Sequence, residues 1–454
     1  MRRRGRLPAG ERLPYNAVFM SQQTARPRAS LHTLGCRLNQ AETAVIGDVL
    51  SRHGYDIVPF GEATDLLVLN TCSVTENAER DCRYAVRRTL RHSPEAFIAV
   101  IGCYAQTGHE ELRRMPGIDL LLGNQYKLEL PQYLPAGRRL RKLPLMDVHH
   151  TRTIDRRDFA LPGTAYSDST RALLKIQDGC DFMCSFCIIP FARGHERSRI
   201  LDDVIREADS LAARGYKELV LTGVNIGRYR YREFGFVELL QRLESVPGIE
   251  RIRISSIEPT TVTRELLDYM AVSEKVCRYL HLPLQSGDDR VLGAMNRKYT
   301  VRHYSELVET ACRLLPDLGL GTDLMVGFPG EGDQEFDNTV RVARDLPFSY
   351  FHVFSYSRRP GTAAARMKES VPSSTIRQRS RTLADLSRAK HGAYARRYIG
   401  RTLRVLFEQG QRDGFSFGLT DNFLRVAVPA LEQDPAGTIQ DVTITGIAGG
   451  LVVG

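Results

Sequence analysis

The sequence predicts an α/β protein in three parts: an N-terminal open parallel α/β sheet, a central (β/α) barrel, full or partial, and a small C-terminal antiparallel β-barrel. Three observations indicate this fold class. Apolar runs of strand length alternate with helical periodicity over residues 30–130, and this alternation resumes over residues 171–360. Residues 131–168, rich in Pro, Gly and Arg, separate the two regions. From residue 402 onward, short alternating strands are separated by polar turns.

The length and the net charge of the chain limit the classes of protein to which it can belong. A chain of 454 residues with 42% hydrophobic content can form two or three packed domains. No stretch has the apolar length of a membrane helix, and residues 1–28 lack the apolar segment of a secretory signal. We expect residues 1–28 to be a disordered extension, with translation starting at Met1 or Met20. The net charge of +10 favours a polyanionic partner, nucleic acid first.

The N-terminal domain, residues 29–135, contains three strand patterns that each precede a helical one. The strands are LHTL (31–34), DLLVLN (65–70) and AFIAVIG (96–102), and the segment AETAVIGDVLSRHG has helical periodicity. This order is typical of an open parallel sheet.

Cys36, Cys72 and Cys103 each lie just past the C-terminal end of one of these strands. Ligands of open α/β sheets bind outside those ends, so three thiolates from neighbouring strands can converge there. Three thiolates on a cubane iron–sulfur cluster leave one iron open. The alternative is three unrelated small residues in loops. The remaining cysteines lie in helical or apolar contexts and are expected to be bystanders: Cys82, Cys277 and Cys312.

The linker, residues 136–165, is expected to be a surface loop. It carries two basic runs, Arg138 to Lys142 and Arg152 to Arg157, and a third basic region is the helical segment from Arg377 to Arg397. Each run is either a phosphate-binding surface or a solvated face.

The central domain, residues 166–396, has six strand patterns separated by helical ones. They are ALLKI (172–176), ELVLTG (218–223), RIRISS (251–256), YLHLPLQ (279–285), GTDLMVGF (321–328) and YFHVFSY (350–356). Six β/α units predict a parallel barrel with its chemistry at the strand C termini.

The first barrel strand leads into QDGCDFMCSFCIIP, which places Cys180, Cys184 and Cys187 in a CxxxCxxC spacing. No fourth cysteine lies near, so a cubane cluster here also keeps one iron open, as catalytic metal sites do. A zinc site with His195 as fourth ligand is the alternative. It is less favoured because zinc motifs usually pair CxxC with a second ligand pair, and none is visible.

The odd number of cysteines, 9, and the lack of a signal peptide point to a reducing cytoplasm rather than to disulfides.

The C-terminal domain, residues 397–454, contains TLRVLFE, FSFGLT, FLRVAV and GTIQDVTITGI. Small β-barrels of this kind often bind nucleic acid. A purely stabilising domain is the alternative.

Taken together, these features resemble the radical SAM (S-adenosylmethionine) methylthiotransferases from about Leu31 to the C terminus. That family combines an N-terminal methylthiotransferase domain, a radical SAM barrel and a C-terminal TRAM domain, an OB-like RNA-binding barrel. Its three classes modify threonylcarbamoyladenosine in tRNA, isopentenyladenosine in tRNA, or an aspartate of a ribosomal protein. The segments that resemble the threonylcarbamoyladenosine class are TLGCRLNQAE, NTCSVTENAE, GCYAQ, KIQDGC, LTGVNIG and HVFSYSRRPGT. Departures from the pattern are Arg37, where lysine is commoner, and the N-terminal extension.

The resemblance implies two [4Fe–4S] clusters and SAM as cofactors. Cys180, Cys184 and Cys187 match the ligands of the SAM-binding cluster, and the strand-end cysteines match those of an auxiliary cluster. The implied reaction is methylthiolation of carbon 2 of an adenosine beside the anticodon. Implied partners are the tRNA anticodon loop, a one-electron donor such as flavodoxin or ferredoxin, and a sulfur donor, without a membrane. By strand-end position, further candidates for contact with SAM are Gly223, Asn225 and Glu331.

Overall fold

The computed structural model describes residues 26–73, 77–135, 145–149, 170–430, 433–448 and 450–454. In its N-terminal part, six parallel strands form one sheet in the order β2-β1-β3-β4-β5-β6. The strands are Arg28–Thr33 (β1), Asp56–Val58 (β2), Leu66–Thr71 (β3), Phe97–Gly102 (β4), Leu120–Leu122 (β5) and Met146–Val148 (β6). The helices are Arg37–Arg52 (α1), Asn77–His92 (α2), Cys103–Thr107 (α3) and His109–Arg113 (α4), followed by a 3₁₀ helix, Lys127–Tyr133.

The central part has six main parallel strands in two hydrogen-bonded groups, β11-β10-β7 and β12-β13-β14. Its strands are Ala172–Lys175 (β7), Gln177–Asp178 (β8), Arg197–Ser198 (β9), Glu218–Thr222 (β10), Arg251–Ile254 (β11), Tyr279–His281 (β12), Gly319–Val326 (β13) and Tyr350–Ser355 (β14). Parallel bridges from Ile252 to Val276 and from Ser256 to His281 join the two groups. Within the described residues β14 does not pair with β7, so the barrel is partial.

Among the described residues, eight α-helices belong to this central part or follow it. They are Ile189–Arg193 (α5), Leu201–Ala213 (α6), Phe236–Glu244 (α7), Arg264–Val272 (α8), Asp289–Ala294 (α9), Val301–Leu314 (α10), Asp333–Asp345 (α11) and Ser373–Arg396 (α12). The outward faces of the strands and the inward faces of these helices share one large apolar core, to which Leu174, Leu221 and Ile254 belong. The inner strand face is polar and aromatic, which leaves the barrel interior for chemistry.

The C-terminal part is a six-stranded sheet in the order β18-β15-β16-β17-β20-β19. Its strands are Thr402–Arg412 (β15), Phe415–Thr420 (β16), Arg425–Pro429 (β17), Ile439–Thr443 (β18), Gly446–Ala448 (β19) and Leu451–Val453 (β20). Every neighbouring pair is antiparallel except β17 and β20, which run parallel. The sheet is therefore mixed at one edge.

The three-part α/β fold class is confirmed, with differences in detail. Strand β6 lies inside the segment assigned to the linker, because a three-residue edge strand carries too little alternation to be recognised. The first two basic runs, Arg138 to Lys142 and Arg152 to Arg157, lie outside the described residues, as do residues 1–25 of the expected extension. The domain boundaries stay predictions. None of the described helices has the length and apolar character needed to span a membrane.

Candidate active site

The three strand-end cysteines of the N-terminal sheet lie on adjacent strands. Cys36 is the N-cap of α1, Cys72 directly follows β3, and Cys103 opens α3 after β4. Gly35 allows the loop before Cys36 to pack closely against Cys72. Its φ is +115°, and a Cβ there would lie 2.9 Å from the Cys72 Sγ atom. Burial raises the pKa of the Cys36 thiol, and the nearby Cys103 raises it further. The three strand ends therefore lie at one edge of the sheet, and the binding of a common cluster by their cysteines stays a prediction.

The CxxxCxxC loop leaves β8 and folds into a compact turn before α5. The Cys187 N–H donates to the Cys184 carbonyl at 3.0 Å, and the Cys180 N–H donates to the Gly194 carbonyl at 3.1 Å. Burial raises the pKa of Cys180 to about 11 and that of Cys187 to about 12, and in both cases the neighbouring Cys184 adds to the effect. The loop thus presents three sulfur ligands within eight residues, and sulfur is the ligand atom that iron–sulfur clusters use.

The arrangement fits an iron–sulfur cluster better than one metal ion. Among the described residues, no group of three or more His, Cys, Asp or Glu side chains has the geometry of a single-ion site. In a cubane cluster each thiolate binds a different iron, so the sulfur atoms need not converge on one point. The ring of His195, the alternative zinc ligand, has its Nδ1 atom 2.6 Å from Asp181 Oδ1. That Cys180, Cys184 and Cys187 bind a cluster with one position open to SAM stays a prediction.

An arginine that the sequence analysis did not single out contacts this loop. Arg297 Nη1 donates to the Cys184 Sγ atom at 3.3 Å. Its Nη2 atom donates to both carboxylate oxygens of Glu258, at 2.6 and 2.8 Å. Glu258 therefore orients a guanidinium toward the sulfur of Cys184, a predicted cluster ligand. Hydrogen bonds of this kind tune the reduction potential of iron–sulfur clusters.

A buried network of charges connects the two cysteine sites. Arg193, 1% exposed, donates from Nη2 to Asn39 Oδ1 at 2.7 Å and from Nη1 to Asp178 Oδ1 at 3.0 Å. Asn39 is three residues after Cys36, and Asp178 is two residues before Cys180. One guanidinium therefore connects the segments that carry the two cysteine sets.

Glu42 of α1 anchors the same network. Arg193 donates to it from Nη1 at 3.0 Å and from Nη2 at 3.1 Å, Lys175 donates at 2.7 Å, and Lys127 is also bonded to it. Burial alone would raise the pKa of the Glu42 carboxyl, but these three cations hold it well below its usual range. The network also reaches the auxiliary cysteines through Asn124, whose Nδ2 atom donates to Cys103 Sγ at 3.4 Å.

The three candidates for SAM contact differ in their surroundings. Asn225 is 3% exposed, and neither of its side-chain polar atoms has a hydrogen-bond partner. Such a buried amide has unmet capacity for a ligand. A Cβ on Gly223 would lie 2.9 Å from the Gln177 carbonyl, so this glycine allows close packing against β8. Glu331 pairs with Arg379 and accepts the Gly327 N–H at 3.2 Å, so its carboxylate is already engaged. A role in SAM contact stays a prediction for all three.

The inner faces of β12, β13 and β14 form a wall of ionisable and aromatic side chains. His281 Nε2 lies 3.0 Å from Asp323 Oδ1, and His352 is exposed on the same face. At the lower end of this wall, Phe423 from the C-terminal sheet stacks on Tyr279, with ring centroids 4.4 Å apart. The C-terminal sheet therefore closes one end of the barrel interior.

Arg253 anchors that closure. It donates to the Asp421 and Thr420 carbonyls at 2.7 and 2.9 Å, and it pairs with Glu218 at 2.6 Å. Beside the closure is a cavity of about 640 Å³, between β14, α12 and the C-terminal sheet. Its lining includes Tyr350, His352, Phe423, Arg171, Arg388 and Arg425. Sequence reasoning missed this floor because its contacts join residues far apart in the chain.

The other three cysteines have no place in either set. Cys82 is fully buried in the apolar core around α2. Cys277 is 1% exposed, and burial raises its pKa to about 12. Cys312 packs partly buried on α10 against the central core. Each surrounding is that of a packing residue, in agreement with the bystander prediction.

Comparison with known families and proteins agrees with the family that the sequence motifs resemble. Residues 174–343 match the model of the radical SAM superfamily, and residues 28–123 match the model described as uncharacterized protein family UPF0004. The chain is 38% identical over 425 residues to the threonylcarbamoyladenosine tRNA methylthiotransferase MtaB of Bacillus subtilis, covering 91% of this chain and 93% of that protein. It is 35% identical over 402 residues to the protein of the same name from Aquifex aeolicus, covering 88% and 96%.

A solved structure shows the same fold. The radical S-adenosylmethionine methyltransferase TsrM of Kitasatospora setae aligns with a TM-score of 0.54 at 16% identity, over 75% of this chain and 77% of that one. At this identity the likeness concerns the fold alone.

Proposed function

This chain belongs to the radical SAM tRNA methylthiotransferases, the family of its Bacillus and Aquifex relatives, and on that premise we propose that it methylthiolates carbon 2 of N6-threonylcarbamoyladenosine next to the anticodon. The single observation that carries the proposal is the pair of three-cysteine sets on two segments that Arg193 connects. Carbon 2 of adenine carries an unactivated C–H bond, so proton transfer alone cannot open it. The site must therefore support radical chemistry.

Each cysteine set has one part in this proposal. Bound at the six cysteines, two [4Fe–4S] clusters would supply the one-electron cleavage of SAM and the carrier for the transferred sulfur. Cys180, Cys184 and Cys187 would hold the first, with Arg297 hydrogen-bonded to Cys184. Cys36, Cys72 and Cys103 would hold the second. The unpaired amide of Asn225 is available to orient SAM.

The buried network is consistent with separate roles for the two cysteine sets. Arg193, Glu42 and Asn39 fix the segment around Cys36 relative to the segment around Cys180. A target base bound between the domains can then meet both sites without large domain motion. Precise mutual placement of reacting groups is a major source of catalytic rate.

The nucleic-acid side of the proposal rests on charge and on geometry. The net charge is +10, and the cavity beside the barrel floor is lined by Arg171, Arg388 and Arg425. The target base must leave its stack to reach the barrel, which favours an anticodon loop over a duplex. We place the reaction in the cytoplasm, where thiols stay reduced, with flavodoxin or ferredoxin as the electron donor and a separate sulfur donor.

Nucleoside mass spectrometry tests the function directly. Total tRNA is compared from a host lacking this activity, with and without this gene, and with the Cys184→Ala variant as inactive control. The account predicts the 2-methylthio form of threonylcarbamoyladenosine with the intact gene alone. A gain on isopentenyladenosine instead would overturn the substrate. No change in either nucleoside would direct attention to the ribosomal-protein class.

A further inference from the structure

Arg37 directly follows the auxiliary ligand Cys36 and begins α1. Its guanidinium is half-buried, and the described residues offer it no hydrogen bond and no ion pair. Its one recorded contact is the ring of Phe423, whose centroid is 5.9 Å from Cζ. An arginine has five N–H donors and is always charged. No acceptor among the described residues occupies these donors, so an anion supplied from outside can bind them.

The charge of Arg37 is directed into the barrel interior. It acts electrostatically on three side chains of the inner strand face, Tyr279, Tyr350 and His352. Phe423, which it contacts, lines the cavity of about 640 Å³ together with Tyr350 and His352. Arg37 thus lies between the auxiliary ligand Cys36 and the aromatic floor of the barrel, where Phe423 stacks on Tyr279.

The nearby carboxylates are already paired with other groups. Asp323 lies 3.0 Å from the His281 ring nitrogen. Glu408 accepts from Arg171 at 3.2 Å and from Arg425 at 3.0 Å. Neither is available to Arg37 without breaking an existing contact.

We propose that Arg37 binds the carboxylate of the threonyl group of the substrate and so selects threonylcarbamoyladenosine over isopentenyladenosine. This inference rests on the proposed function. Carbon 2 and the N6 substituent flank the same edge of adenine, so a base presented to Cys36 brings its N6 side chain toward the next residue. A guanidinium matches a carboxylate in two parallel hydrogen bonds. An isopentenyl group has no charge and would leave the guanidinium desolvated and unpaired, which is unfavourable.

A carboxylate-capped substrate tests the proposal. Two anticodon stem-loop RNAs are used, one with native threonylcarbamoyladenosine and one with its carboxylate converted to a methylamide. Binding affinity and kcat/KM are measured for wild type, Arg37→Gln and Arg37→Lys. In wild type, capping should weaken binding by about 10- to 100-fold, the range of a hydrogen-bonded charge. Arg37→Gln should lose a similar factor on native RNA and should not distinguish the two RNAs. Arg37→Lys should keep part of the discrimination between native and capped RNA, since lysine keeps the charge but cannot form the two parallel hydrogen bonds.

Two controls keep the result specific. Iron and sulfide content are measured for each variant, and binding is compared at matched content, because Arg37 adjoins a cluster ligand. Arg206→Gln removes an exposed arginine on α6 that pairs with Asp203, and it should stay within about twofold of wild type.

The outcomes separate this inference from the proposed function. If Arg37→Gln discriminates native from capped RNA as strongly as wild type does, Arg37 is not the carboxylate ligand. An active wild type that is indifferent to capping overturns the inference while the function stands. A wild type that never modifies the native RNA overturns the function itself.

Discussion

The substitution Glu42→Gln removes the central charge of the buried network while keeping the size of the side chain. Three cations converge on this carboxylate: Lys175 at 2.7 Å, Arg193 at 3.0 Å, and Lys127. All four side chains are at most 5% exposed. Removing one partner of a buried ion pair costs about 3–5 kcal/mol, because the other charges stay desolvated. We expect a loss in this range, a large part of a typical total stability of about 5–15 kcal/mol.

Denaturant unfolding under anaerobic conditions measures this loss as a lower midpoint of the first transition. A chain of several domains need not unfold in two states, so the first transition is the one to compare. Glu306→Gln is the matched control, since Glu306 is 63% exposed and lies 3.8 Å from Arg302. That pair should contribute about 0–1 kcal/mol. A Glu42→Gln midpoint equal to that of the control would refute the view that the network holds the two domains together.

Three further predictions concern the cysteine sets, Arg297, and the ion pair in which Arg401 donates to Asp317 at 2.9 Å, outside the site. Cys184→Ala should abolish both 5′-deoxyadenosine formation and methylthiolation, whereas Cys72→Ala should keep SAM cleavage and lose sulfur insertion; full product from Cys72→Ala would contradict the auxiliary site. Arg297→Gln removes a hydrogen bond to Cys184 that favours the more negative, reduced state of the SAM-binding cluster. The reduction potential of this cluster should therefore fall by on the order of tens of millivolts in an EPR-monitored titration. An unchanged potential would show that Arg297 does not tune the cluster. The hydrogen bonds from Arg401 lower the pKa of Asp317. This pair therefore stabilises the fold above about pH 4, and its contribution is lost as the pH falls through the lowered pKa. In Asp317→Asn the unfolding midpoint should depend less on pH in the acid range, and an unchanged dependence would contradict this role of the pair.

The placement of the six cysteines in the fold could be predicted from the sequence because it depends on local order, whereas their binding of clusters stays a prediction. The loop with Cys180, Cys184 and Cys187 is contiguous in the chain. Cys36, Cys72 and Cys103 follow consecutive strand patterns, and the parallel sheet brings consecutive strand ends to one edge. The strand patterns themselves were clear because buried parallel strands are continuous apolar runs.

The contacts that connect these sites could not be predicted in the same way. Glu42 and Arg193 lie 151 residues apart, and Arg297 and Cys184 lie 113 apart. No periodicity or spacing relates such pairs, since their meeting depends on how the domains pack. Phe423 is similar: its place in the barrel floor follows from the docking of the C-terminal sheet. A single sequence shows these residues as ordinary surface or core positions.

Quantifying iron and sulfide in the anaerobically reconstituted protein, together with its Mössbauer spectrum, tests the central claim of two three-cysteine cluster sites most directly. The account predicts about eight irons and eight sulfides per chain, four for each [4Fe–4S] cluster. Replacing Cys36, Cys72 and Cys103 together by alanine should lower both counts to about four, and SAM should still perturb the remaining cluster. A wild type with only about four irons, or a triple variant that keeps the full count, would contradict the claim.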